Sequence, residues 1–277
     1  MKIYKVGKVG NMRSMTLFHA MARLNLVGLI ITEPEDTYLS VGYFDRVEDI
    51  IDYEKCRRLN IPLIRREVGG GAVLLAPGQV FYQLIVPKWI APFKVVDAYR
   101  KFSNPVIKTY KRLGLNVEYR PINDLVLKRG RKISGQGAAD IEKCFVFVGN
   151  ILLRFDTKLM SELFKVPHES FREKLLKSLE ENISWVEREA TRSFSYEEIQ
   201  SVLIEEFSKV IDFEGFGVLT EDVVDLADRL KDEFSSHRVL FEDTGRKHNY
   251  LKIREGVYVR NGKRETTGGL LISEVLV

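Results

Sequence analysis

The spacing of hydrophobic positions changes several times along the chain, and each change marks an element. After Ser14, the run MTLFHAMARLN places Leu17, Phe18, Met21 and Leu24 at helical spacing. GLIITEPEDTYLSVGYF instead reads as two extended pieces around Pro34. Residues 47–59 return to a helical period, with Ile50, Ile51, Tyr53 and Cys56 inward. IPLIRR is a short strand, and its Pro62 suits a strand start. Residues 66–87 hold a glycine loop and two strands, AVLL and QVFYQLIV. From Pro92 to Leu113 the period is helical again, through Val95, Val96, Tyr99, Phe102, Ile107 and Tyr110. Gly114 fits a stop after that helix, and Pro105 implies a break or kink within it.

Strands are predicted near NVEYR, NDLVLK, RKISGQG and CFVFVGNILLRF, then helices near 157–165, 170–180, 196–210 and 220–234. Asn261-Gly262, between alternating segments, predicts a two-residue hairpin turn. Strand-rich blocks alternate with long helices without regular βαβ spacing. The fold class is therefore α+β, with mixed or antiparallel central sheets flanked by helices, rather than doubly wound. A modest boundary near Arg192–Ser195 divides a core, 1–192, from 193–277. The second part supplies helices and a Val257–Val277 hairpin that complete the same domain and pack back on the main sheet.

Composition narrows the function classes. With 277 residues and 45% hydrophobic content, a sizeable core is affordable. No run approaches the ~18 apolar residues of a membrane span. The N-terminal MKIYKVGKVG has no apolar stretch after its lysines, so a cytoplasmic protein with no membrane partner is expected. Lys plus Arg is 43 against 39 acidic residues, with no basic block, so nucleic acid is not the expected partner. The two cysteines, Cys56 and Cys144, and the four histidines lack metal-ligand spacing, and no protein-held metal is expected.

Two clusters carry candidate chemistry. In Arg65-Arg66-Glu67-Val68-Gly69-Gly70-Gly71-Ala72-Val73, glycines without a Cβ let a ligand press against backbone. The arginines add fixed charge and bidentate donors. The spacing matches neither a P-loop nor GxGxxG, and a flexible turn is the plain alternative. The second cluster is Asn123-Asp124, then Gly130-Arg131-Lys132-Ile133-Ser134-Gly135-Gln136. As a strand, 131–136 puts Lys132, Ser134 and Gln136 on one face and Ile133 on the other. That makes a polar wall for an anion, although a lysine on a solvated strand face would look the same.

Together, RRxxGGGAV followed by NDL and GRKISG resembles the lipoate–protein ligase family, whose catalytic fold is shared with octanoyltransferases and biotin ligases. The resemblance spans roughly residues 10–240. LSVGYF and IPLIRR lead into the glycine loop, and ILLRFDTKLMSELF follows the lysine motif. The resemblance implies a biotin/lipoate ligase-like catalytic domain and a two-step reaction. Lipoate is activated by ATP to lipoyl-AMP, and the acyl group passes to a lysine of a carrier domain. The family's lysine falls on Lys132, its glycine loop on Gly69, Gly70, Gly71 and Ala72, and its preceding arginines on Arg65 and Arg66. Val73, Asn123, Asp124, Ser134 and Gly135 complete the expected substrate and nucleotide site. Mg²⁺ would arrive with ATP, with Asp124 the nearest acidic residue to help hold it.

The carrier implied is the lipoyl domain of a 2-oxoacid dehydrogenase E2 or a glycine cleavage H-like protein. The stretch after Phe234 is too short for the accessory domain of single-chain relatives, so a separate small accessory subunit is expected. Arg246, Lys247, Lys252 and Arg254 would then meet an acidic carrier. Val41, Tyr43, Val73 and Tyr82 are expected to line the acyl tunnel. The chain departs from the family at Val73–Ala76, where His-Asp is common, at Gln79 and at Val148-Gly149-Asn150. The competing readings are an octanoyl or lipoyl transferase working through a cysteine thioester, and a non-catalytic acyl-carrier binder.

Overall fold

The computed structural model describes residues 1–166, 168–244, 250–266 and 269–276. At its centre is a seven-stranded sheet in the order β1 (Lys2–Val9), β2 (Gly28–Pro34), β6 (Gln79–Pro87), β10 (Cys144–Leu152), β9 (Lys132–Ile141), β8 (Asp124–Leu127) and β7 (Val117–Arg120). β1 and β2 are parallel, and the other neighbours are antiparallel. This is the mixed α+β architecture expected.

Strand β6 shows why both faces are covered. Val80, Tyr82, Leu84 and Val86 alternate with Phe81, Gln83 and Ile85, and all are buried. A strand buried on both sides reads as a continuous apolar run, as QVFYQLIV does. On one face lie α4 (Val95–Arg112) and α8 (Tyr196–Ser208), which bring Phe102, Val106, Leu203 and Phe207 against the sheet. On the other lie α1 (Arg13–Arg23) and α9 (Glu221–Phe234), with Phe18, Met21, Val223 and Leu230. Each fully buried side chain of this kind contributes roughly 1.5–3 kcal/mol. Helix α8 starts where Ser195 and Glu198 form a reciprocal capping box.

Pro105 does not break α4, which runs unbroken through it. The lost backbone bond costs ~3 kcal/mol, and the buried row Phe102, Val106 and Tyr110 holds the helix on the sheet regardless. Conversely, the helix predicted over 47–59 is two short pieces, α2 (Val47–Ile50) and α3 (Tyr53–Arg58). Ile51 is extended between them and bridges Phe164, while the Asp52 carboxylate accepts the Lys55 N–H and starts α3 anew.

A second sheet, β4 (Leu63–Arg65), β3 (Tyr38–Val41) and β5 (Val73–Leu75), carries the glycine loop between β4 and β5. It shares a third core with α5 (Thr157–Leu163) and α6 (Glu169–Asn182). The short helices α7 (Val186–Glu189) and α10 (His237–Leu240) complete the helical set.

The C-terminal strands correct two expectations. β11 (Tyr250–Arg254), β12 (Val257–Thr266) and β13 (Gly269–Leu276) form a separate antiparallel sheet. Leu251, Ile253 and Val259 bury themselves in the third core rather than on the main sheet. Asn261-Gly262 is not a turn. It lies within β12, opposite Glu274 and Ser273. Glu255-Gly256 connects β11 to β12, and Gly256 takes φ +80°. Long pairing on both sides of β12 overrides the local turn preference of Asn-Gly.

Candidate active site

The β8–β9 pair builds a lysine wall. It borders a chamber on the face away from the first core. Strict alternation fails at the start of β9, so Lys132, Ser134 and Gln136 do not share the expected face. Lys132 Nζ lies beside Gly135 and borders the chamber, while Ser134, opposite Leu125, and Gln136, opposite Gly149, turn with Ile133 toward the first core. A register shift in β8–β9 lies between Asp124, opposite Gly135, and Val126, opposite Lys132. Lys132 Nζ lies 2.9 Å from Asp124 Oδ1. The other oxygen of Asp124 accepts the Glu255 N–H at 2.7 Å. Burial pushes the Asp124 carboxyl up, but the ammoniums of Lys132 and Lys252 outweigh it. With the Glu255 N–H they hold the group below the usual carboxylate range. The carboxylate is thus ionised and orients Lys132 where it borders the chamber.

The remaining polar groups are tied together. Asn123 Nδ2 donates to the Gln136 carbonyl at 2.7 Å, and its Oδ1 accepts from Lys252 Nζ at 2.8 Å. Ser134 Oγ donates to the Asn150 carbonyl on β10 at 2.6 Å. Gln136 bridges the Ser103 hydroxyl and the Tyr82 hydroxyl. Ser134 and Gln136 therefore pin β9 from its core side rather than presenting their side chains to the chamber.

Opposite stands the glycine wall. Gly70 takes φ +101°, and a Cβ there would lie 3.0 Å from Arg66 Nη2. The loop rests directly on β9, since a Cβ on Gly137 would come within 2.6 Å of Val68 Cγ1 and 3.0 Å of the Gly69 carbonyl. Gly70, Gly71, Ala72 and Val73 border the chamber, as does Gly135 across from them. Gly69 faces a neighbouring cleft beside Arg23, Glu67 and Ala138.

The two arginines depart from their expected role. Arg65 donates to the carbonyls of Val239, Leu240, Gly42, Tyr43 and Asp45, and does not border the chamber. It ties α10 to the end of β3. Arg66 does border the chamber, but donates to the Ser40 carbonyl and hydroxyl and to the carbonyls of Gly69 and Gly71. Burial lowers both guanidiniums from their ordinary value without discharging them. Here an arginine shapes the loop and does not offer a free fork to a ligand.

The apolar lining of the chamber includes Phe81, Phe155, Met160, Phe164, Leu179 and Ile183, the last a bridge partner of Lys132. Of the expected tunnel residues only Val73 is there. Val41 is in the third core, Tyr43 borders the neighbouring cleft, and the Tyr82 ring packs in the first core. Met160 and Phe164 belong to the quoted ILLRFDTKLMSELF segment, so their place was within reach of the sequence. The departures at Val73, Val148 and Asn150 all fall on the chamber wall. Gln79 does not border the chamber but bonds to residues that do, donating to the Leu74 carbonyl and accepting from Asn150.

Sequence reasoning missed Lys252 and Ile253. Both reach the chamber from β11. Lys252, expected on a carrier-facing surface, instead points inward. Arg254 donates to Asn182 Oδ1, while Arg246 and Lys247 lie outside the described residues. Both cysteines are buried and neither borders the chamber. Burial pushes both thiols up, Cys56 to about 11, which removes thiolate at neutral pH. Among the described residues no three His, Cys, Asp or Glu side chains gather as a metal site, and no helix is long and apolar enough to cross a membrane.

The comparisons agree with this geometry. Residues 15–208 match the Lipoyl protein ligase A/B catalytic domain. Octanoyltransferase LipM of Geobacillus kaustophilus is 27% identical over 195 residues, covering 62% of this chain and 70% of that protein. Lipoate-protein ligase A subunit 1 of Thermoplasma acidophilum is 27% identical over 209 residues, 72% of this chain and 78% of the relative. A solved bi-partite lipoate protein ligase, studied with its E2 lipoyl domain from T. acidophilum, superposes with a TM-score of 0.76 at 25% identity, covering 87% of this chain and 96% of that one. Lipoate-protein ligase A bound with ATP shares the fold, with a TM-score of 0.70 at 21% identity, over 87% and 98% of the two chains. The matched region contains both walls of the chamber, and this chain belongs to the lipoyl protein ligase A/B catalytic domain family.

Proposed function

We propose that this protein is an ATP-dependent lipoate–protein ligase. The observation that carries the reading is the chamber's composition: an apolar lining for an acyl chain, the Lys132 ammonium bordering the same space, and no thiol. In the first step a lipoate carboxylate oxygen bonds to the α-phosphorus of ATP and the bond to pyrophosphate breaks. In the second, a carrier lysine amine attacks the acyl carbonyl, an amide forms with loss of a proton, and AMP leaves. Both steps stabilise negative charge near phosphorus or carbonyl oxygen, which a prepositioned cation does best. Neither needs an enzyme nucleophile. Burying the acyl tail against Phe81, Met160 and Phe164 contributes about 0.8 kcal/mol per methylene.

Mg²⁺ would enter with ATP, held by phosphate oxygens and water. Asp124 has Lys132 on one oxygen and the Glu255 N–H on the other, so its part here is to hold Lys132. The bi-partite ligase and its E2 lipoyl domain support a lipoyl carrier as acceptor and a separate small subunit as partner. Residues 193–277 belong to the same catalytic domain in this reading, with α8 and α9 on the main sheet and β11 on the chamber. Activity is placed in the cytoplasm.

The LipM relatives favour a second reading, acyl transfer through a thioester without ATP. One assay separates them. The protein is incubated with ATP, Mg²⁺, lipoate and a lipoyl domain, with and without the small subunit, and carrier mass and AMP are read. ATP-dependent modification with AMP release, unchanged in Cys144→Ser, is expected. Modification from an acylated carrier without ATP, abolished by Cys144→Ser, would overturn the ligase reading.

A further inference from the structure

Lys252 stands on β11, beyond the 15–208 span that matches the family, and it reaches the chamber that Lys132 also borders. Its Nζ donates to Asn123 Oδ1 at 2.8 Å and to Glu255 Oε2 at 2.7 Å. An ammonium has three N–H donors, so these bonds leave one for a ligand. The Lys252 Cβ and carbonyl approach the place a Gly71 Cβ would occupy, at 3.8 Å, so the strand lies on the glycine wall. Adjacent residues, Asn123 and Asp124, thus hold the two lysines, Asp124 gripping Lys132 and Asn123 gripping Lys252.

We propose that Lys252 is a second anion-binding residue of this site, delivered by the C-terminal sheet to the phosphate of the acyl-adenylate. The claim rests on the ligase reading for the identity of the anion. Glu255 is the built-in counter-charge. It pairs with Lys252 while accepting from the Tyr258 hydroxyl, and its backbone N–H meets Asp124. An incoming phosphate therefore competes with the Glu255 carboxylate for the same ammonium. The opposite view makes Lys252 a peg that only docks the C-terminal sheet on Asn123. The two views differ in sign at Glu255. As a peg, Lys252 and Glu255 both weaken the site when removed. As an anion-binding residue, Lys252 is needed, while removing the Glu255 charge relieves competition.

The test is titration of the full chain, of Lys252→Met and of Glu255→Gln with lipoyl-AMP and with lipoate alone, each variant's Tm being measured in parallel. Lys252→Met should bind lipoyl-AMP at least about tenfold more weakly, the loss of one charge-assisted hydrogen bond. Its Tm should stay near that of the parent. Glu255→Gln should bind lipoyl-AMP as tightly or more tightly. Undiminished affinity in Lys252→Met, or equal losses in both variants accompanied by a lower Tm, would overturn the proposal. If the parent chain binds lipoate but not lipoyl-AMP, the ATP-dependent reading fails. Lys252 then keeps an anion-binding role only if Lys252→Met weakens lipoate. Binding of neither ligand by the parent sinks both.

Discussion

The glycine wall and the lysine wall face each other across one chamber, and each carries cations, yet the cations do different work. Arg65 donates to five backbone carbonyls and Arg66 to the carbonyls that shape the glycine loop. Lys132 and Lys252 are each held by one or two side-chain acceptors. A planar guanidinium with five donors can hold several carbonyls at once, whereas an ammonium on a flexible stem keeps a donor for something that arrives later. Positive charge next to a glycine loop is therefore not the same as charge available to a ligand.

Five substitutions separate scaffold from chemistry. The largest effect is expected at Lys132. Lys132→Ala should lower lipoyl-AMP formation by the folded fraction about 100-fold or more, together with a lower Tm, because the buried Asp124 carboxylate loses its ion-pair partner. Undiminished adenylate formation would remove Lys132 from the mechanism.

Arg65→Met should do the reverse. Five buried carbonyls lose their donor, and stability should fall by about 3 kcal/mol or more in urea unfolding. The folded fraction should keep its lipoate KM. A raised KM at unchanged stability would instead return Arg65 to the binding site.

His19 links the glycine wall to the pH dependence of stability. It is fully buried, with Nδ1 against the Met15 carbonyl and Nε2 accepting the Glu67 N–H. Burial lowers it from 6.5 to about 3. Below 6.5 the unfolded chain takes up a proton that the folded one refuses. Stability should therefore fall as pH drops through that interval, by about 1.4 kcal/mol per unit from this group. His19→Gln should flatten the slope of urea midpoint against pH. An unchanged slope would mean that His19 is protonated in the folded state.

The smallest contrast lies within the loop. Gly70→Ala meets both a positive φ and Arg66, and should cost about 1 kcal/mol or more. Gly71→Ala meets only Lys252 at ordinary contact distance and should fold as the parent does. Equal Tm losses in the two variants would show that the loop is not held as described.

Much of this was legible beforehand because it depends on local spacing. Period-2 alternation placed Ile133 in the core, and burial agrees, but the register shift beside it turns Ser134 and Gln136 to the core side, away from Lys132. The continuous apolar run of β6 announced a strand covered on both faces. Other positions depended on distant partners. Pro105 sits in an intact helix because the sheet beneath it supplies the packing. Ile51 is extended because Phe164, far along the chain, pairs with it.

By itself the sequence determined the α+β class, most of the elements and the two motifs whose order marks the family, since each follows from residue types at short separations. Only the tertiary structure decided which charges face the chamber. Arg65 was turned inward by carbonyls contributed from β3 and α10, and Lys252 was carried in by a C-terminal sheet that buries Leu251 and Ile253 in the third core. A side chain's hydrogen-bond partners are set by what the rest of the chain brings within about 3 Å, and no local pattern contains that distance.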